Sequence, residues 1–196
     1  MSVAILALQG DFDAHARALR AAGAACHEAR TAGDVLRASA LVVPGGESTT
    51  FWKLMEGTGL AEAIREVARR GDPVLGTCAG AILIARTILR PRGEGLGLLD
   101  AAVVRNAYGR QLDSTILHLT DIDRGVLGDE PLEAVFIRAP RIAEVGPGVS
   151  VLARRDGDPV LVRQGNLLAA TFHPELADDR RIAELFLSLA RTAQET

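Results

Sequence analysis

Short, unbroken apolar runs alternate with amphipathic stretches through the first half of the chain. Val3–Leu8 is such a run, ending at Gln9-Gly10, and reads as a strand buried on both faces. Asp11 stands at an N-cap position, which predicts a helix to about Ala22 with Gly23 as its stop. Ala24–Ala29 reads as a weaker strand, Thr31–Ser39 as a short helix and Ala40–Val43 as another buried strand ending at "PGGES". Ser48 or Thr49 is placed to cap a helix through about Glu56, and Ala61–Arg70 continues as helix after the Gly57–Gly59 break. Val74–Gly76 is a strand leading into a turn at Cys78, and Ala79–Leu89 has helical character. The alternation of strand and helix predicts a parallel α/β sheet.

The second half follows a different pattern. Leu98–Val104, Ser114–Thr120, Ala134–Arg138, Val149–Arg154, Val160–Arg163 and Leu167–Phe172 all read as strands. "DGD" (156–158) and "QGN" (164–166) separate the last three, and Asp-Gly between β-like runs signals a hairpin. "RPRGEG" (90–95) reads as a polar surface loop. From about Asp179, Ile182, Leu185, Phe186 and Leu189 recur on one helical face. The pattern predicts a three-layer α/β fold: a mostly parallel central sheet flanked by helices, with antiparallel strands added. No repeat or linker divides the 196 residues, so residues 1–196 are expected to form one domain.

Composition narrows the partners. The chain is 48% hydrophobic and 24% charged, ordinary values for a soluble globular protein. A formal charge of −3 and a pI near 5.8 argue against a nucleic-acid protein with a basic face. Two cysteines, Cys26 and Cys78, make no disulfide framework and no CxxC pair. The N-terminal stretch lacks the basic region and cleavage site of a signal peptide, and no apolar run approaches the ~20 residues of a membrane span. The expectation is a cytoplasmic protein.

Three constellations could carry chemistry. Gly76-Thr77-Cys78-Ala79-Gly80 has the form G-x-C-x-G, the thiol counterpart of a nucleophile elbow between a strand and a helix. Flanking glycines keep side chains out of a crowded turn, the helix N-terminus favours a thiolate, and the Ala79 N–H can face a developing oxyanion. On its own the motif also fits a buried core cysteine, since free cysteine is among the most buried residue types. "TFHPE" (171–175) places His173 and Glu175 two apart. Pro174 pushes His173 toward an extended backbone, in which both side chains share a face as a base and its orienter. The same tripeptide also fits a polar strand end. Pro44–Ser48 offers adjacent glycines whose N–H groups can face a ligand oxygen, or an ordinary strand-to-helix loop; no G-K-[ST] follows, which excludes a P-loop. Cys26 and His27 face opposite ways, His118 alternates with leucines, Trp52 fits core packing and His15 lies on a helix without a clear role. No His/Cys/carboxylate spacing suggests a metal site.

Taken together these residues resemble the triad-type class I glutamine amidotransferases. "GTCAG" and "FHPE" mark that broad class, while "LVVPGGESTT" (41–50), "RNAYGRQLDS" (105–114) and "FIRAP" (136–140) are similar to the glutaminase subunits of two-component pyridoxal 5′-phosphate synthases. The resemblance implies a nucleophile at Cys78, a base at His173 and an acid at Glu175. It implies glutamine binding by Gly46, Glu47, Ser48, Arg105, Ile137 and Arg138. It also implies oxyanion or partner-linked roles for Gln9, Gly10, Gly45 and Ala79. An arginine suits the α-carboxylate of glutamine because its guanidinium is planar and permanently charged. The implied reaction is hydrolysis of L-glutamine through a thioester, with no metal or organic cofactor. Ammonia would pass to a (β/α)₈-barrel synthase subunit, and docking would complete the oxyanion site, so isolated activity would be low. The loop "DRGVLGDEP" (123–131) is longer than usual for the family. An amidotransferase serving another acceptor, a hydrolase of the intracellular-protease-like superfamily and a non-catalytic module are the rival readings. The second places His after its nucleophile, where this chain has Ala79.

Overall fold

The computed structural model describes residues 2–105, 107 and 115–193. In chain order the elements are β1 (Val3–Leu6), α1 (Phe12–Ala21), β2 (Cys26–Ala29), α2 (Ala32–Leu36), β3 (Ala40–Val43), α3 (Ser48–Met55), α4 (Leu60–Arg69), β4 (Val74–Thr77) and α5 (Ala79–Ile84). They continue with β5 (Ala85–Arg90), β6 (Gly93–Glu94), β7 (Leu99–Val104), β8 (Thr115–Leu119), α6 (Arg124–Leu127), β9 (Leu132–Phe136) and β10 (Arg141–Val145). β11 (Ser150–Arg155), β12 (Asp158–Gln164), β13 (Leu167–Ala170), a 3₁₀ turn at Pro174–Leu176 and α7 (Arg181–Thr192) complete them.

The central sheet has the order β11-β12-β13-β4-β3-β1-β2. β2, β1, β3, β4 and β13 run parallel, and β11 and β12 are antiparallel additions at one edge. Alternate residues of each parallel strand serve opposite layers. Ala4, Leu6, Leu41, Val43 and Val74 pack beneath α3, α4 and α5 with Phe51, Ile64 and Leu83. Val3, Ile5, Val42, Leu75 and Leu168 pack on the other side with Leu19 of α1 and Ile182 and Phe186 of α7. This is the three-layer arrangement expected of apolar runs that are buried on both faces.

The remaining strands form a four-stranded sheet, order β10-β7-β5-β6, and a β8–β9 pair. Most of the antiparallel strands therefore build separate small sheets, and only β11 and β12 extend the central one. Two hairpins obey their turn chemistry. Arg155 pairs with Asp158 across Asp156-Gly157, both at positive φ (51° and 84°), as a type I′ turn requires. Gln164 pairs with Leu167 across Gly165-Asn166, with Gly165 at φ 58°.

Four local expectations are corrected. The helix expected over Ala79–Leu89 ends at Ile84, and Ala85–Arg90 is strand β5, whose Thr87 and Ile88 pair with β6 and β7. Pairing with two neighbours outweighs the weak helical preference of "ARTILR". Gly93-Glu94 of the expected surface loop joins that sheet as β6. The cap of α3 is Glu47, whose carboxylate accepts from Thr49 N and Oγ1, while Ser48 is the first helical residue. Asp11 precedes α1 but makes no side-chain cap bond. The long 123–131 loop carries α6, and Arg181 reaches it to donate to the carbonyls of Leu127, Glu130 and Pro131.

Candidate active site

Four neighbouring parallel strands end on one side of the sheet, and each carries a piece of the site. Gln9–Asp11 follow β1, Pro44–Ser48 follow β3, Cys78 follows β4 and His173 follows β13. This is the carboxyl edge of a doubly wound sheet, where crevices form as the strand order reverses.

Cys78 is held at φ 47°, ψ −105°. A non-glycine residue in that region is strained and persists only where the surroundings over-determine it. They do: its N–H donates to Ala170 O at 2.8 Å, and a fully buried α5 follows directly. Gly76 and Gly80 allow the packing, since a Cβ on Gly76 would lie 2.8 Å from Gly80 O and from Ile84 Cδ1. The thiol lies 3.8 Å from Ile137 O and also interacts with His173.

His173 enters from β13 and is 3% exposed, its N–H donating to Val135 O at 2.8 Å. Its Nδ1 lies 2.7 Å from Glu175 Oε1. Glu175 does not share an extended segment with His173, as the sequence suggested; it sits in the 3₁₀ turn Pro174–Leu176, and that turn brings its carboxylate back under the ring. Burial works against a charged His173, but hydrogen bonds and charge interactions with Cys78 and Glu175 outweigh it and raise its pKa from 6.5 to about 10. Burial likewise disfavours the Glu175 carboxylate, and His15 and His173 overcome it, leaving its pKa below 4.5.

One pocket is lined by Cys78, Ala79 and His173 together with Gly46, Glu47, Ser48, Arg105, Ile137 and Arg138. Arg105 donates to Glu47 Oε1 at 3.2 Å across the opening. Arg138 holds φ 44°, a second strained residue at the rim. Gln9 fixes the glycine-rich loop: its amide oxygen accepts from Glu47 N and its amide nitrogen donates to Glu47 O, both at 3.2 Å. A Cβ on Gly46 would strike that Gln9 side chain, and Gly10 packs directly on the Gly45 carbonyl. All the sequence-derived candidates therefore meet at one place. Residue 106 and residues 108–114 of the "RNAYGRQLDS" motif lie outside the described residues.

Two side chains escaped the sequence reading. Asp11, read there as a cap, lines the pocket with Oδ2 3.5 Å from His173 Nδ1. His15, one helical turn further along α1, is buried against Glu175 and Thr77. The i, i+4 spacing of Asp11 and His15 was the available signal. Among the described residues, Asp11, His173 and Glu175 form the group that could hold a metal ion, although His173 and Glu175 are already spent on each other. Cys26 and His27 lie apart: the Cys26 thiol contacts Ala16 O, and His27 contacts Ser2 Oγ. His118 is exposed beside Glu133, and Trp52 packs on the core.

Comparison with known proteins bears on the chain as a whole. A family model described as the SNO glutamine amidotransferase family matches residues 5–191. The chain belongs to that family. Among curated relatives, a protein of Koribacter versatilis named pyridoxal 5′-phosphate synthase subunit PdxT is 52% identical over 97% of this chain and 96% of its own. The protein of the same name from Thermus thermophilus is 51% identical over 96% and 97%. A solved structure titled as a glutamine amidotransferase superposes with a TM-score of 0.88 at 44% identity, over 96% of this chain and 98% of its own. The amidotransferase family thus accounts for the α/β layering. Among the described residues no helix is long and apolar enough to cross a membrane.

Proposed function

We propose that the chain hydrolyses L-glutamine in the cytosol and passes the ammonia to a synthase subunit that builds pyridoxal 5′-phosphate. The observation that carries the hydrolysis is the strained Cys78 beside a buried His173 whose other face is held by Glu175 at 2.7 Å. Cys78 sulfur attacks the side-chain amide carbon, and its proton resides on His173. The C–N bond breaks as His173 gives that proton to the departing nitrogen, and a γ-glutamyl thioester remains. His173 then takes a proton from water, which attacks the thioester; glutamate leaves and the thiol is restored. A His173 that holds its proton to about pH 10 suits the acid step, and Glu175 keeps the ring oriented throughout.

Recognition follows from charge. The free α-carboxylate of glutamine suits Arg105 and Arg138, and the α-ammonium suits Glu47, whose carboxylate already faces Arg105. Backbone N–H groups near Gly46 and Ala79 stabilise the oxyanion. The synthase partner rests on the names of the full-length relatives and on the chemistry, because free ammonia is lost to solvent as ammonium. Gln9 and Gly10, which hold the glycine-rich loop, are the place where docking would act. The test is ammonia release from glutamine with the synthase subunit present and absent. Turnover should rise on its addition, and Cys78→Ala should abolish hydrolysis and thioester trapping by a glutamine analogue. Surviving hydrolysis in Cys78→Ala removes the nucleophile, and equal fast turnover alone removes the gating.

A further inference from the structure

Among the described residues, the reaction above leaves the buried His15 unused. His15 is 2% exposed, on the face of α1 that packs under the 3₁₀ turn. Its Nε2 lies 3.0 Å from Thr77 Oγ1 and 3.3 Å from Glu175 Oε2. Thr77 is the last residue of β4 and the neighbour of Cys78. Glu175 Oε2 is buried and has no hydrogen-bond partner among the described residues, while Oε1 is committed to His173.

The neighbours decide the tautomer. An Nε2 lone pair 3.3 Å from an ionised oxygen would be repelled, whereas an Nε2–H is attracted to it. Burial lowers the His15 pKa and favours the neutral ring, whose Nε2 faces both Thr77 Oγ1 and, at 3.3 Å, Glu175 Oε2. A buried carboxylate oxygen without a donor is costly, and a carboxylate free to rotate would present either oxygen to His173. A His15 N–H turned toward Oε2 would remove both problems.

We propose that His15 is a positioning residue for the hydrolysis: its Nε2–H holds the rear oxygen of Glu175 and so locks the front oxygen onto His173 Nδ1. The contacts form an arc, Thr77–His15–Glu175–His173, that starts beside the nucleophile and returns to it as the base. The backbone adds a second link, since His15 N donates to Asp11 O at 3.2 Å, one residue beyond the Gln9-Gly10 segment. The inference rests on the hydrolytic reading of the site.

The experiment is a reach series in the full chain, assayed with its synthase partner. His15→Gln carries an N–H about as far as the imidazole Nε2; His15→Asn stops short of Glu175; His15→Leu has no donor. His15→Leu and His15→Asn should lose about 10- to 100-fold in kcat with KM within about two-fold, the range of a lost orienting contact. His15→Gln should recover kcat to within about three-fold. A kcat that ignores reach, with Asn or Leu at the wild-type value or Gln as low as Asn, overturns the proposal. If His15→Leu fails to fold, the Gln–Asn pair decides alone. A downfield proton NMR signal from His173 Nδ1–H, present in wild type and His15→Gln and lost in His15→Asn, reads the positioning without turnover; its persistence in His15→Asn also overturns it. A wild-type complex that releases no ammonia would instead refute the hydrolytic reading, and the NMR signal would still judge His15.

Discussion

Gly45 is where one added methyl group should cost most of the activity. A Cβ built there would lie 2.5 Å from His173 Cε1, 3.0 Å from Nδ1 and 3.4 Å from Cys78 Cβ. Carbon atoms rest at about 3.5 Å, so the ring must retreat by about 1 Å. The ring is 3% exposed and tied to Glu175, so that shift strains the contact that orients it. The backbone is no obstacle, because Gly45 is not among the residues at positive φ. In Gly45→Ala the overpacking should cost about 1–3 kcal/mol, a fall in Tm of roughly 2–12 °C for a chain of this size. A 1 Å misplacement of a catalytic group costs about 10²-fold in rate, so kcat with synthase should fall by about that factor. Gly33→Ala is the control, since its Cβ would meet nothing closer than the end of Arg37 at 3.4 Å. A helical Gly→Ala change should leave kcat unchanged and add up to about 1 kcal/mol of stability. Thermal melts and coupled ammonia release measure both. Gly45→Ala with kcat within two-fold of wild type would refute the claim that this glycine exists to admit the imidazole.

Two further outcomes follow from charge. Arg105→Met should raise KM for glutamine by at least ten-fold and change kcat little, because the guanidinium acts on the part of the substrate that does not react; an unchanged KM would move carboxylate binding elsewhere. Stability should also depend on pH through the His173–Glu175 pair. His173 has a native pKa of about 10 against 6.5 when unpaired, so its contribution is complete below about pH 6.5 and lost as pH rises to about 10. Glu175, held below 4.5, contributes above that pH and loses its share as pH falls through its lowered value. The stability gap between wild type and Glu175→Gln should therefore be widest near pH 4.5–6.5 and narrow toward pH 10. A gap that stays flat from pH 6 to 10 in chemical denaturation would deny the ion pair.

What the sequence made legible has a physical reason in each case. "VAIL" and "ALVV" read as strands because burial on both faces leaves no polar position to mislead. The Asp156-Gly157 hairpin was legible because only certain residues accept two positive φ values in succession. "ARTILR" was not, since Ala, Ile and Leu serve helix and strand alike and the β5–β7 pairing that decides between them is non-local. β10, "RIAEV", escaped notice because it is only partly buried and shows no clean alternation. The site itself was legible where its chemistry lies in contiguous motifs, as in "GTCAG" and "FHPE". Asp11 suits a helix cap equally well, and only the incoming His173 ring assigns it to the pocket. His15 gains meaning only when Glu175, far along the chain, packs onto it.

The pairing of β13 with β4 has a consequence for the chain's biosynthesis. Cys78 leaves the ribosome with its elbow residues around it, but its base arrives only after nearly half the chain has followed, by way of a non-local parallel pairing of the kind that forms slowly. Until that strand slots in beside its neighbour, the nascent protein holds a thiol with no proton acceptor. On the proposed reading, a copy truncated before that strand should hydrolyse no glutamine, because His173 would be missing from the site.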